Sequence, residues 1–89
     1  KSVETFSNAI KENPIDYEAY YNRGLSYLML KELDNAERDF DKSIHYNPSY
    51  SNSYYLRGNV HQKKGNSYSA ISDFEKAIED NIKGLFSIK

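Results

Sequence analysis

Apolar and small residues recur at helical steps along most of the chain. Tyr20, Gly24, Tyr27 and Leu28 follow one another at three or four residues, and Ala36, Phe40 and Ile44 do so again. That spacing returns each side chain to the same face of an α-helix, once per turn. It predicts helices over 1–13, 17–30, 34–46, 51–64 and 68–81. The breaks between them are written in turn residues. Asn13-Pro14 and Asn47-Pro48 stop a helix, because proline cannot continue one and biases the preceding residue away from helical geometry. Lys64-Gly65-Asn66 reads as a tight turn closed by a left-handed glycine. In the matching turn, Leu30-Lys31-Glu32, a lysine stands where that glycine stands and makes the turn less comfortably.

The pattern repeats. A shift of 34 residues places Tyr20 on Tyr54, Tyr21 on Tyr55, Arg23 on Arg57, Gly24 on Gly58, Ala36 on Ala70, Asp39 on Asp73, Phe40 on Phe74 and Ile44 on Ile78. The same shift places Phe6 on Phe40, Ile10 on Ile44, Asn13 on Asn47 and Pro14 on Pro48. Residues 1–14 therefore match the second half of an earlier unit. Two helices per unit and a fixed period define a stack of helical hairpins, in which one pair cannot bury its apolar face alone and neighbours supply the core.

The signature of the first full unit is Tyr20-x2-Arg23-Gly24-x2-Tyr27, then Ala36-x3-Phe40, then Pro48. The second gives Tyr54-x2-Arg57-Gly58-x2-His61, then Ala70-x3-Phe74, with Ile82 in the proline's place. This resembles the tetratricopeptide repeat, whose pattern is W-x2-L-G-x2-Y, A-x3-F and P over 34 residues. The resemblance implies an all-α fold, a right-handed superhelical stack of antiparallel helix pairs (an α-solenoid). It implies one domain over 1–89: a second helix at 1–14, full units at 17–50 and 51–84, and a tail or the start of a further unit at 85–89. Tyrosine for tryptophan keeps an aromatic at its packing site, and Arg23 and Arg57 are expected to pack their stems while the guanidinium reaches water. The small Gly24, Gly58, Ala36 and Ala70 leave room for a paired helix. Without the proline, the last helix runs on past Ile82, or 81–89 begins another unit.

Composition narrows the function classes. Twelve basic residues against thirteen acidic ones leave a net charge of -1, without the positive excess that tracks a phosphate backbone or an anionic lipid surface. Nucleic acid and membrane are not the expected partners. The chain has no cysteine, so no disulfide or thiolate site is available, which fits an intracellular, cytoplasmic setting. It opens on Lys1 rather than methionine and reads as an excised fragment.

No catalytic constellation, cofactor motif or metal set is expected, and the chain reads as a non-enzyme. His45 and His61 are sixteen residues apart on different helices, without thiolates or converging carboxylates to complete a ligand set. Glu37, Asp39 and Asp41 beside Arg38 and Lys42, and Asp73, Glu75, Glu79 and Asp80 beside Lys76, read as solvated helix faces laced with near-neighbour pairs. The single glycines at Gly58 and Gly65 lack the spacing of a phosphate loop.

Nine tyrosines remain, and tyrosine is enriched where proteins bind one another. Tyr20, Tyr27 and Tyr54 occupy signature positions and belong to packing. Tyr21 and Tyr55 lie one residue further along, turned by about 100°. In the family that the chain resembles, the first helices of successive units line a concave groove for peptides or partner helices. The groove positions would be Glu18, Tyr21, Asn22, Leu25 and Leu28, then Asn52, Tyr55, Asn59 and Gln62. The resemblance thus implies an interaction module, a scaffold or adaptor with a protein or peptide ligand. Some relatives clamp the acidic tails of chaperones through Lys, Asn and Arg. Asn22 matches the clamp's asparagine, but Asn52 and Leu56 stand where the next unit would carry Lys and Arg. A chaperone-tail adaptor is thus one alternative. A self-associating structural segment, pairing through apolar repeat ends into a homo-oligomer, is another, and a regulatory segment of an enzyme encoded elsewhere is a third.

Overall fold

Asp16 opens the first full unit by accepting hydrogen bonds from the backbone of Glu18 and Ala19, at 3.1 and 3.2 Å, which satisfies donors that the first helical turn leaves unpaired. The computed structural model describes the backbone of residues 2–86 and the side chains of residues 2–79. Five helices follow in order: α1 (Val3–Glu12), α2 (Tyr17–Met29), α3 (Leu33–Tyr46), α4 (Ser51–Lys63) and α5 (Ser67–Phe86). The prolines end α1 and α3 as expected. At each, the preceding asparagine bridges the break, Asn13 to the N–H of Ile15 (3.4 Å) and Asn47 to the N–H of Ser49 (3.1 Å). With no proline at Ile82, α5 continues as one helix to Phe86. Residues 87–89, on which part of the expected tail or further unit falls, lie outside the described residues.

The two inner turns close alike. Glu32 N–H donates to the carbonyl of Tyr27 and Lys31 N–H to that of Leu28; Asn66 and Gly65 repeat this on His61 and Gln62. This is the Schellman arrangement, and it needs a left-handed residue. Gly65 takes φ 85° freely, whereas Lys31 is forced to φ 63°. The expected discomfort of that turn is real.

Consecutive helices pack along the chain, α1 on α2, α2 on α3, α3 on α4 and α4 on α5. The stack measures 40 × 33 × 19 Å, and its thin dimension is two helix layers at about 8–10 Å each. Packing inside each pair is close because Gly24 lies against the ring of Phe40 and Gly58 against that of Phe74; a methyl group at either would come within 2.8 or 2.7 Å of the ring. The core joins the units: Ala36 and Phe40 of α3 and Val60 of α4 are wholly buried together, with Tyr21, Tyr27, Leu28, Leu33 and Leu56 around them. Ser43 and Ser53, also wholly buried, satisfy each other across the α3–α4 boundary at 2.6 Å.

Candidate functional site

Curvature comes from an asymmetry between first and second helices. Among the described residues α2 touches α4, whereas α3 touches neither α1 nor α5. First helices converge and second helices splay, so the stack bends with α2 and α4 on its inside. The groove residues of the sequence reading all belong to these two helices.

Their environments differ. Glu18 and Gln62 are exposed; Asn22, Leu25 and Asn59 are half-buried. Leu28 packs on the central core, and Tyr21 is caged between Phe40 and Tyr50, with ring centroids 6.0 and 5.2 Å away. Burial, and then the neighbouring Tyr50, raise the pKa of Tyr21 above its ordinary value. Tyr55 is its repeat partner in sequence but not in setting. It leans on Phe74 at 5.7 Å and stays 55% exposed. With Ser51, Asn52, Phe74, Ala77 and Ile78 it lines an open apolar cavity of about 430 Å³ at the end of the α4–α5 pair. The face thus has two parts: amides and Leu25 between α2 and α4, and an apolar hollow beyond α4.

The charged residues correct the sequence reading. Arg23 and Arg57, each 22% exposed at the side chain, keep some contact with water but commit their guanidinium groups to the protein. Each grips a buried aspartate sixteen residues on with a two-bond fork, Arg23 on Asp39 at 2.8 and 2.8 Å and Arg57 on Asp73 at 2.9 and 2.7 Å. Asp39 and Asp73 are 2% and 5% exposed, so they are not part of a solvated face. Each arginine then reaches back to the preceding second helix, Arg23 to Ser7 at 3.0 Å and Arg57 to Asp41 at 2.9 Å. One side chain thereby ties three helices, in the planar fork geometry that suits guanidinium and carboxylate. The hydrogen bonds to Asp39 and to Asp73 raise the pKa values of Arg23 and Arg57 above the ordinary arginine value, against the opposing pull of burial. Lys64 makes a second tie between units, to Asp34 at 2.7 Å and Glu37 at 2.8 Å; these hydrogen bonds push its pKa up and that of Asp34 down.

His61 packs at the signature tyrosine position with its Nε2 3.5 Å from Asp73 and its buried Nδ1 without a hydrogen-bond partner. No group of three or more His, Cys, Asp or Glu among the described residues is placed to hold a metal ion. No helix among them is long and apolar enough to cross a membrane.

A curved stack of helical hairpins with an open inner face defines a helical-repeat protein, and comparison with known proteins gives its family. Tetratricopeptide repeat models match residues 17–50 and 51–79. The chain belongs to the tetratricopeptide repeat family. Among solved structures it is similar to a crystal structure of MamA, at 30% identity and a TM-score of 0.90 over 93% of this chain and 48% of that one. It is also similar to the second TPR of Spaghetti (RPAP3) bound to the HSP90 peptide SRMEEVD, at 26% identity and a TM-score of 0.83 over 85% of this chain and 70% of that one. The chain spans about half the length of the MamA structures it matches. No curated protein matches it in sequence.

Proposed function

We propose that the chain is a non-enzymatic interaction module of the cytoplasm that holds a peptide or a helix of a partner protein against the inner face of α2 and α4. The convergence of α2 on α4, with the second helices splayed outside, is the observation that carries this reading. Asn22, Asn59 and Gln62 offer amide donors and acceptors that suit a peptide backbone, and Leu25 adds apolar contact. Glu18 is the one charged residue of the set, so a neutral or basic ligand suits the face better than an acidic one.

The similarity to the RPAP3 repeat bound to SRMEEVD favours a chaperone-tail adaptor as the second reading. Weighing against it, Leu56 packs on the core and Asn52 lies near Tyr50, its amide 3.4 Å from that hydroxyl. Neither supplies the cation that a carboxylate clamp needs.

The test is affinity capture from a lysate of the source cell with the native chain and with an Asn22→Ala, Asn59→Ala, Gln62→Ala variant of unchanged helicity. Tyr21 is left intact because its ring is structural. Partners held by the native chain and lost by the variant support the reading, and equal recovery on both contradicts it. Direct binding of SRMEEVD by the native chain would favour the chaperone-tail reading instead.

A further inference from the structure

Arg23 on Asp39 and Gly24 on Phe40 fix which side of α2 turns to α3, and Arg57 on Asp73 and Gly58 on Phe74 do the same for α4 and α5. The opposite side of α2 carries Glu18, Leu25 and Met29 on one helix stripe, and the 34-residue offset puts Asn52, Asn59 and Lys63 there in α4. The two stripes differ in charge at their ends. Glu18 stands at the start of α2 where α4 has the neutral Asn52, and Lys63 closes α4 where α2 has Met29. All four are exposed. Lys63 lies outside the groove set of the sequence reading. Its neighbour Lys64 is tied to Asp34 and Glu37, whereas among the described residues neither Glu18 nor Lys63 has an ionic partner. Successive helices alternate in direction, so α2 and α4 run parallel, and the acid and the base hold diagonal corners of the inner face. Eleven residues along the axes at about 1.5 Å each, and about 10 Å across, separate those corners by about 19 Å.

We propose that the ligand of this face is an extended peptide of mixed charge, with a Lys or Arg over Glu18, an Asp or Glu over Lys63 about five or six residues away, and an apolar residue between them against Leu25. The inference rests on the inner-face reading and narrows it from a peptide or helix to one backbone form and one charge pattern. The amides of Asn22, Asn59 and Gln62 favour the extended form. A helix satisfies its own backbone, whereas an extended segment presents one N–H and one C=O at each residue for such amides to meet. At about 3.3 Å per residue, an extended chain crosses the 19 Å diagonal in about six steps. The two corners also reject. A uniformly acidic segment sets like charge on Glu18 and a uniformly basic one sets it on Lys63, so the pair selects against both.

The test pans a phage library of random dodecapeptides on the 89-residue chain at low salt, because exposed ion pairs are screened. Clones that also bind the Asn22→Ala, Asn59→Ala, Gln62→Ala variant are set aside. The clones kept should carry one basic and one acidic residue about five or six positions apart. In a synthetic peptide from such a clone, reversing the basic residue to Glu should weaken binding by at least about threefold, and Glu18→Lys in the chain should restore it. Lys63→Glu should likewise restore binding of a peptide whose acidic residue is reversed to Lys. A role for Glu18 confined to the first turn of α2, where an acid favours the helix N-terminus, would give no such rescue. Helicity of both charge variants is checked by circular dichroism. Kept clones without the paired charges, or reversals that the chain variants do not rescue, would overturn this proposal and leave the inner-face reading standing. If no clone is enriched, or every enriched clone binds the amide variant as well as the native chain, the inner-face reading fails and this proposal falls with it.

Discussion

Arg57 and the buried Asp73 meet through two parallel hydrogen bonds of 2.9 and 2.7 Å, and the third contact of the same guanidinium, 2.9 Å to Asp41, crosses into the preceding unit. Removing the arginine leaves Asp73 buried with only the His61 imidazole beside it, at 3.5 Å. Arg57→Met, which keeps the stem, is expected to destabilise the chain by about 3 kcal/mol, near the low end for breaking a buried pair because Arg57 retains contact with water. Arg57→Met combined with Asp73→Leu should recover most of that loss, since no charge is then stranded. Urea unfolding of the single and double variants checks both statements.

Gly24 and Gly58 have equivalent contacts but unequal neighbours. A methyl at Gly24 meets Phe40 at 2.8 Å, and Phe40 is wholly buried and cannot retreat. At Gly58 it meets Phe74 at 2.7 Å, but that ring borders the open cavity and has space to move. Overpacking costs about 1–3 kcal/mol, and alanine in a helix returns about 1 kcal/mol over glycine. Gly24→Ala should therefore lower stability by about 1–2 kcal/mol, and Gly58→Ala should be nearly neutral despite its shorter contact. Equal losses in thermal unfolding would show that Phe74 is as immobile as Phe40.

Lys31 carries its strain in the backbone. At φ 63° a residue with a Cβ lies about 1–2 kcal/mol above one without. Lys31→Gly is expected to raise stability by about 1 kcal/mol, less than the full strain because glycine also loosens the unfolded chain. Gly65→Ala, at φ 85°, should lower it. Midpoints of urea unfolding give the sign of each.

Stability should fall at both ends of the pH range. Burial comes first in raising the pKa values of Tyr20 and Tyr21 above 10.0, helped by Tyr46 and Tyr50 respectively. A raised folded value means that the contribution is complete below 10.0 and lost as pH rises through the shifted values. Lys64, raised above 10.5 by Asp34 and Glu37, follows over a higher window. Asp34 is lowered below 3.8 by the hydrogen bond to Lys64, so its contribution is complete above 3.8 and disappears as pH falls through its folded value. Urea midpoints measured against pH should decline above pH 10.0 in the native chain. Lys64→Met should remove the acid-side share that belongs to Asp34.

Helix positions were legible because a 3.6-residue period and the Asn-Pro stops are local signals; α2 and α3 begin and end within a residue of expectation. The Arg23–Asp39 and Arg57–Asp73 forks were missed because partners sixteen residues apart belong to different helices, and near-neighbour charge pairing offered a simpler account. The signal was present, since the same Arg-to-Asp separation occurs twice at the 34-residue offset. Lys64 and Asp34 carry no such clue. Their meeting depends on how one unit settles on the next. The helices that carry the expected groove residues, α2 and α4, were legible, but the environments of those residues were not. Tyr21 and Tyr55 are identical in repeat phase, yet Tyr50 packs on one and among the described residues nothing covers the other.

The inner-face reading is tested most directly by mapping a captured partner segment on the chain. Amide and side-chain NMR shifts recorded on titration with that segment should concentrate at Asn22, Leu25, Asn59 and Gln62, and the Asn22→Ala, Asn59→Ala, Gln62→Ala variant should lose them. Shifts spread over the outer surfaces of α3 and α5, with the inner residues unmoved and the variant binding as well as the native chain, would contradict the account.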